Sequence, residues 1–331
     1  MRMKTSLSFL SVSLLILSAI ISLPTRTSAQ DLVIRGGWLF DSVSDNVVRN
    51  SGIVIKSGKF IAVGGIPDRD LTGFETLELQ YDDYILPGMF DLHAHYRVTF
   101  NGIRKDEHEV NPIIFLANGV TSTFPNGEIN PYEMMEARKR IDRGEQIGAR
   151  LFNSGPYFGT SRANREWSEI KTPEDVYADV DKWAELGVKG FKAKGINPEL
   201  LQALIDRAHM HGLPVTGHLG SGARNSVNPR DAILMGIDRI EHFLGGDVMP
   251  ASRSAYASLQ DLDPYIPELD NIIQLYIDNN VYFDATLTAY GYYGDRAEGF
   301  DYWVDERKFL TPFTFEVTKD ERQYDEQFDK I

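Results

Sequence analysis

Apolar positions along this 331-residue chain fall into three regimes. From Leu7 to Leu23 they are nearly continuous, preceded by Arg2 and Lys4 and followed by Pro24 and the small residues Thr27, Ser28 and Ala29. A charged start, an apolar centre and a small-residue end predict a secretory signal peptide over residues 1–29, cleaved after Ala29. Left uncleaved, the same stretch approaches the ~17–25 residues that span a bilayer, but the small residues at Thr27 and Ala29 favour cleavage. From residue 30 to 83 the apolar positions become short runs, Leu32-Val33-Ile34, Ile53-Val54-Ile55 and Phe60-Ile61-Ala62-Val63, with Gly36-Gly37, Ser57-Gly58-Lys59 and Gly64-Gly65 between them. These predict a small meander, an ordinary antiparallel sheet without chemistry of its own.

From residue 84 to 331 the pattern changes to short apolar runs separated by amphipathic stretches, the alternation of parallel strands with crossover helices. The strands expected are Ile85 to His95, Thr121 to Phe124, Arg150 to Asn153, Gly190 to Lys194, Val215 to His218, Arg239 to His242 and Tyr282 to Leu287. Helices are expected over Pro131 to Arg143, Pro173 to Leu186 and Pro198 to His211, each opened by proline in its first turn. Most strand spacings lie near the ~30 residues per unit of a (β/α)8 barrel. The fold expected is therefore an α/β, TIM-type (β/α)8 barrel, with its last β/α unit lacking.

Barrels of this kind place their chemistry at the C-terminal ends of the strands. His93 and His95 end the first strand, Lys192 lies late in the fourth, His218 ends the fifth and His242 ends the sixth. In an extended strand side chains repeat with period two, so His93 and His95 share a face and can close on one cation. The pair His209 and His211 has the same spacing near a helix end, where residues two apart face nearly opposite ways, and is read as surface histidines. Lys192 and Lys194 share a strand face in an apolar segment. A buried lysine loses its charge or gains a partner, and a neutral amine can react with carbon dioxide to give a carbamate that bridges two metals. Lys194 is read as a rim residue reaching solvent.

Composition narrows the chemistry further. The chain has 42% hydrophobic and 25% charged residues, which is ordinary for a globular protein. With no cysteine, thiolate ligands, thiol nucleophiles and a disulfide framework are all excluded. The net charge of −14 becomes −17 once Arg2, Lys4 and Arg26 leave with the signal peptide, so nucleic acid would be repelled. No other segment is apolar enough to cross a membrane, which makes the expected product exported, periplasmic or secreted.

The run Leu86-Pro87-Gly88-Met89-Phe90-Asp91-Leu92-His93-Ala94-His95 resembles the first barrel strand of the metal-dependent amidohydrolase superfamily. Asn118-Gly119-Val120-Thr121-Ser122, Gly190-Phe191-Lys192, Thr216-Gly217-His218 and Ile240-Glu241-His242 resemble its second, fourth, fifth and sixth strands. The likeness runs from about Asp31 to about Leu287 and is greatest to the imidazolonepropionase-like and prolidase-like branch. It implies that His93 and His95 bind one divalent metal, that Lys192 is carboxylated and bridges, and that His218 and His242 bind a second. Zinc is the ion expected, with one or two bound. The resemblance also implies that the N-terminal strands belong to a small β-sandwich, incomplete in this sequence.

Superfamily members carry a further aspartate at the end of the eighth strand, in a Gly-Thr-Asp-like setting, and no such segment follows Leu287. Asp284, Asp301, Asp305 and Asp320 are not promoted to that role. The expectation is a hydrolase of carbon–nitrogen bonds in small molecules or short peptides, using a metal-activated hydroxide, with turnover impaired by the missing aspartate. Open strand edges would also invite pairing with another chain, a homo-oligomer included. Two rival readings stand beside it. One is a non-catalytic exported metal-binding or interaction protein. The other is a glycosidase using Glu128 and Glu241, which requires the two carboxylates to face each other at roughly 5 to 9.5 Å. Tyr157, Arg162 and Tyr290 are candidates for the mouth.

Overall fold

The structure, a computed structural model, describes residues 31–100, 103–159, 172–220, 226–250 and 252–287. The expected signal peptide, Arg162, Tyr290, Asp301, Asp305 and Asp320 lie outside the described residues. The chain divides into two compact units, Met1–Pro87 and Gly88–Ile331. No helix among the described residues is long and apolar enough to cross a membrane.

In the first unit β1 (Leu32–Leu39) pairs antiparallel with β2 (Val48–Lys56), and β2 with β3 (Lys59–Val63). The β2–β3 turn places Ser57 and Gly58 at φ 50° and 74°, the doubly left-handed turn that matches strand twist in a two-residue hairpin. The meander ends there. β4 (Glu75–Glu78) and β5 (Tyr84–Ile85) both run parallel to β1, so the sheet is mixed and not wholly antiparallel as expected. Val33, Leu39, Ile53 and Val54 are its buried hydrophobic residues, and no second sandwich layer is present among the described residues.

The second unit holds two parallel arcs. One orders β10 (Arg150–Leu151), β9 (Val120–Pro125) and β6 (Met89–Ala94). The other orders β11 (Tyr157–Phe158), β12 (Phe191–Lys194), β13 (Val215–His218), β14 (Arg239–Glu241) and β15 (Tyr282–Asp284). Because β10 pairs back to β9 while β11 pairs forward to β12, the single segment from Arg150 to Phe158 joins the arcs as the third strand of seven. β6 and β15 are not paired with each other, so the described strands do not close a barrel. A hairpin, β7 (Arg97–Phe100) with β8 (Ile103–Asp106), follows the first strand.

Between strands lie α1 (Asn111–Ala117), α2 (Pro131–Asp142), α3 (Pro173–Glu185), α4 (Pro198–Met210), α5 (Pro229–Leu234), α6 (Ala255–Gln260) and α7 (Pro267–Asp278). Local sequence sets their starts. Thr172 accepts from Asp175 N and Asp175 answers to Thr172 N, a capping box, with Pro173 in the first turn. Asn197 accepts from Leu200 N at the start of α4. From α3, Val176, Val180 and Trp183 follow the helical repeat and are fully buried, against Leu201 and Leu204 of α4 and Phe191 of β12. At about 1.5–3 kcal/mol for each large side chain, this layer anchors the strands that present the polar residues.

Candidate functional site

At the C-terminal ends of these strands four imidazoles form a chain. Ring centroids lie 5.0 Å apart for His95 and His93, 4.9 Å for His93 and His242, and 4.5 Å for His242 and His218. His93 lies in β6, held where its backbone N–H donates to Asp91 Oδ1 at 2.8 Å, and His95 follows the strand end. His218 ends β13, beside Lys194 of β12 in register. His242 departs from expectation: β14 ends at Glu241, and His242 takes φ 67°, a left-handed conformation that costs a non-glycine residue about 1–3 kcal/mol. A further extended residue would point its side chain to the opposite face from Glu241. The turn lets Glu241 and His242 both meet the cluster, and His242 Nδ1 is held by Thr286 Oγ1 at 2.6 Å.

Glu241 is the centre of the arrangement. It is wholly buried, pairs with the equally buried Lys192 ammonium through Oε2, and accepts at Oε1 from Asn126 Nδ2 and from Thr216 Oγ1, the latter at 2.5 Å. Arg239, two residues earlier on the same strand face, donates to Thr216 Oγ1 at 3.0 Å and to the Leu92 carbonyl at 2.7 Å. Strand register then explains a residue that sequence reasoning set aside. Glu241 and Asp284 are parallel partners, so their side chains share a face, and Asp284 Oδ2 comes within 3.8 Å of His93 Nδ1.

The electrostatics keep His93 and His242 neutral. Burial, then the neighbouring Lys192 charge, depresses the His93 pKa far below its usual value and takes His242 down to about 2. Burial, then Lys194 and Arg239, push the Lys192 pKa down, and the Glu241 carboxylate in contact with it favours the ammonium form against them. Burial raises Asp91, although His93 N–H favours its ionised form. Neutral imidazoles and a carboxylate are the donor set of a borderline divalent cation. His93 Nδ1 is buried without a hydrogen-bond partner, and beyond each other so are Lys192 Nζ and Glu241 Oε2. One ligand atom each from His93, Glu241 and His242 lie within 4.8 Å of one another, close to the ~4.2 Å at most that separates two ligands on one ion. These residues fit a metal.

Compared by sequence, the chain matches no protein-family profile and no curated relative. Compared by fold, it matches solved structures. Molinate hydrolase aligns over 91% of this chain and 79% of its own, at 17% identity and a TM-score of 0.61. A Xaa-Pro dipeptidase with methionine bound in its active site covers 87% and 73%, at 18% and 0.59. The ochratoxinase of A. niger covers 85% and 72%, at 15% and 0.58. The chain shares the fold of these hydrolases.

His93, His95, His218 and His242 gather at the C-terminal ends of the parallel strands, the end at which (β/α)8 folds place their chemistry. The structure brings these four together and sets Lys192 beneath them on Glu241. His209 and His211, the contrasting pair, lie at the end of α4 on separate carboxylates, Asp238 at 3.0 Å and Asp181 at 2.6 Å. Glu128 and Glu241 occupy separate networks: Glu128 is buried on Asn153 Nδ2 at 2.6 Å, and burial pushes its pKa well up. Tyr157 is buried beside Gly127, not exposed at a mouth. Sequence reasoning missed the roles of Asn126, Thr216 and Arg239, and set Asp284 aside. For Asp284 a signal existed, the period-two match of β14 and β15, but it needs the register.

Proposed function

We propose that this chain is an exported, divalent-metal-dependent hydrolase of amide-type carbon–nitrogen bonds in small molecules or short peptides. The observation that carries the reading is a chain of four imidazoles, two of which, His93 and His242, share a candidate ion site with a buried carboxylate and an orphaned donor atom, at the C-terminal ends of the strands of a hydrolase fold. The solved structures of that fold include hydrolases of dipeptides, molinate and ochratoxin by their names, which supports the bond class.

His93, His242 and Glu241 would hold an ion, with His95 and His218 flanking them. Zinc suits imidazole donors, and when bound it supplies Lewis acidity that polarises a carbonyl and eases deprotonation of water near neutral pH. The protein's own groups do the rest. Asp284 Oδ2, partly open to solvent beside His93, takes the proton of the attacking water and returns it to the leaving nitrogen. It reaches the centre from β15, the seventh strand. Lys192 holds Glu241 as an ammonium ion. A carbamate there would put two anions in contact and require two cations, so the pairing favours one ion and an unmodified lysine.

Purified protein should contain close to one equivalent of divalent metal by elemental analysis. It should release amine from a panel of dipeptides and N-acyl amino acids, and lose that activity on chelation. No metal above background, with no hydrolysis after zinc or manganese is added, would defeat the proposal. Metal without hydrolysis would instead establish the non-catalytic metal-binding reading.

A further inference from the structure

At the opposite, N-terminal ends of the strands lies a cavity of about 340 Å³, lined by Arg138, Asp142, Arg150, Leu151, Phe152, Gly187 and Lys189. Arg150 opens β10 and Lys189 stands two residues before β12, whereas the histidines gather where the strands end. Three cations and one carboxylate meet here, a local excess of positive charge in a chain of net −14. Among the described residues Arg150, Lys189 and Asp142 make no ion pair and no side-chain hydrogen bond. Arg138 is fixed, donating to the Gly187 carbonyl at 2.8 Å at the end of α3, so its remaining N–H groups are held in one orientation. Leu151 is buried and Phe152 half-buried in the same lining, the Phe152 ring lying tilted against Phe90 with centroids 4.9 Å apart.

Unpaired like charges around a concavity repel one another, and an oxyanion relieves that repulsion with charge-assisted bonds that arginine gives in pairs. The apolar wall adds a preference for an anion with a hydrophobic body. We propose that this cavity is a binding site for a small organic oxyanion, a carboxylate or phosphate carrying an aromatic or aliphatic group, separate from the histidine centre.

The test is calorimetric titration of the full-length protein with phenyl phosphate, benzoate and inorganic phosphate. Phenyl phosphate or benzoate is expected to bind saturably, and phosphate about tenfold more weakly for want of the apolar contact. Arg150→Ala and Lys189→Ala should each cost about tenfold and the double variant should abolish binding, the loss of charged hydrogen bonds. Asp142→Asn should tighten it. Both cations are exposed, so an unchanged melting temperature will show that the variants fold. His93→Ala should leave binding intact. No saturable binding of any probe, or binding that survives in the double variant or disappears in His93→Ala, overturns the proposal.

Discussion

Removing the Lys192 amine should destabilise the metal-free protein by about 3 kcal/mol. Lys192 and Glu241 are both fully buried and paired, and breaking such a pair from one side costs about 3–5 kcal/mol because a charge is left uncompensated. In Lys192→Met the Glu241 carboxylate keeps Asn126 and Thr216 as donors, which places the cost at the lower end of that range. With an m-value of about 3 kcal/mol/M in urea, the midpoint should fall by about 1 M. Urea unfolding of chelator-treated protein, followed by tryptophan fluorescence through the buried Trp183, reads this directly. The second arm is Lys192→Met with Glu241→Gln. Glutamine still accepts from Asn126 and Thr216 but carries no charge, so most of the loss should return. A single-variant cost below about 1 kcal/mol, or no recovery in the double variant, would refute the claim that the pair is a desolvated ion pair.

The remaining predictions concern the proton carrier, a turn and a buried acid. Asp284→Asn should lower kcat by about 10²–10⁴-fold while metal content, read by elemental analysis, stays unchanged. Gly127→Ala should cost about 1–3 kcal/mol, because Gly127 has φ 87° and an added Cβ would fall 2.2 Å from the Tyr157 ring; thermal unfolding measures it. Burial raises Asp106 from 3.8 to about 6, so the folded state binds its proton more tightly than the unfolded state. Its contribution is full below pH 3.8 and is lost as pH rises through about 6. Asp106→Asn keeps an acceptor for Ile129 N and Asn130 N, and should flatten that decline in a pH series of unfolding midpoints.

Much of this was legible in the sequence, to a depth set by the range of the interaction. Helix starts are local, and Pro131, Pro173 and Pro198 fix them. Strand identity is nearly as local, so the seven expected strands of the second unit all appear, although Tyr282–Asp284 stops three residues short of Leu287 and Tyr84–Ile85 pairs with β1 instead of leading into β6. Period two alone aligns His93 with His95. What the sequence does not carry is register between strands distant in the chain. Asp284 gains its place from pairing with Glu241, Asn126 from reaching a carboxylate 115 residues away, and His242 from a left-handed turn that an extended reading would miss. The mixed sheet of the first unit was missed likewise, since a parallel return looks identical to a hairpin strand in a short apolar run.

How an arc that does not close holds a compact centre also follows from one long-range contact. Among the described residues β6 has no strand beside it on the side facing β15, and none of them offers the Leu92 carbonyl a ladder partner there. Arg239 supplies one, donating at 2.7 Å from Nη2 while Nε holds Thr216, with its guanidinium over the Phe124 ring at 5.4 Å. One side chain therefore connects β6, β9, β13 and β14 through a group that remains charged under any ordinary condition, although burial lowers its pKa. Leu92 immediately precedes His93, so the bond that ties β6 to β14 also fixes an imidazole at the middle of the chain of rings. The stability of this part of the fold and the geometry of the centre are thus one property, carried by the same guanidinium.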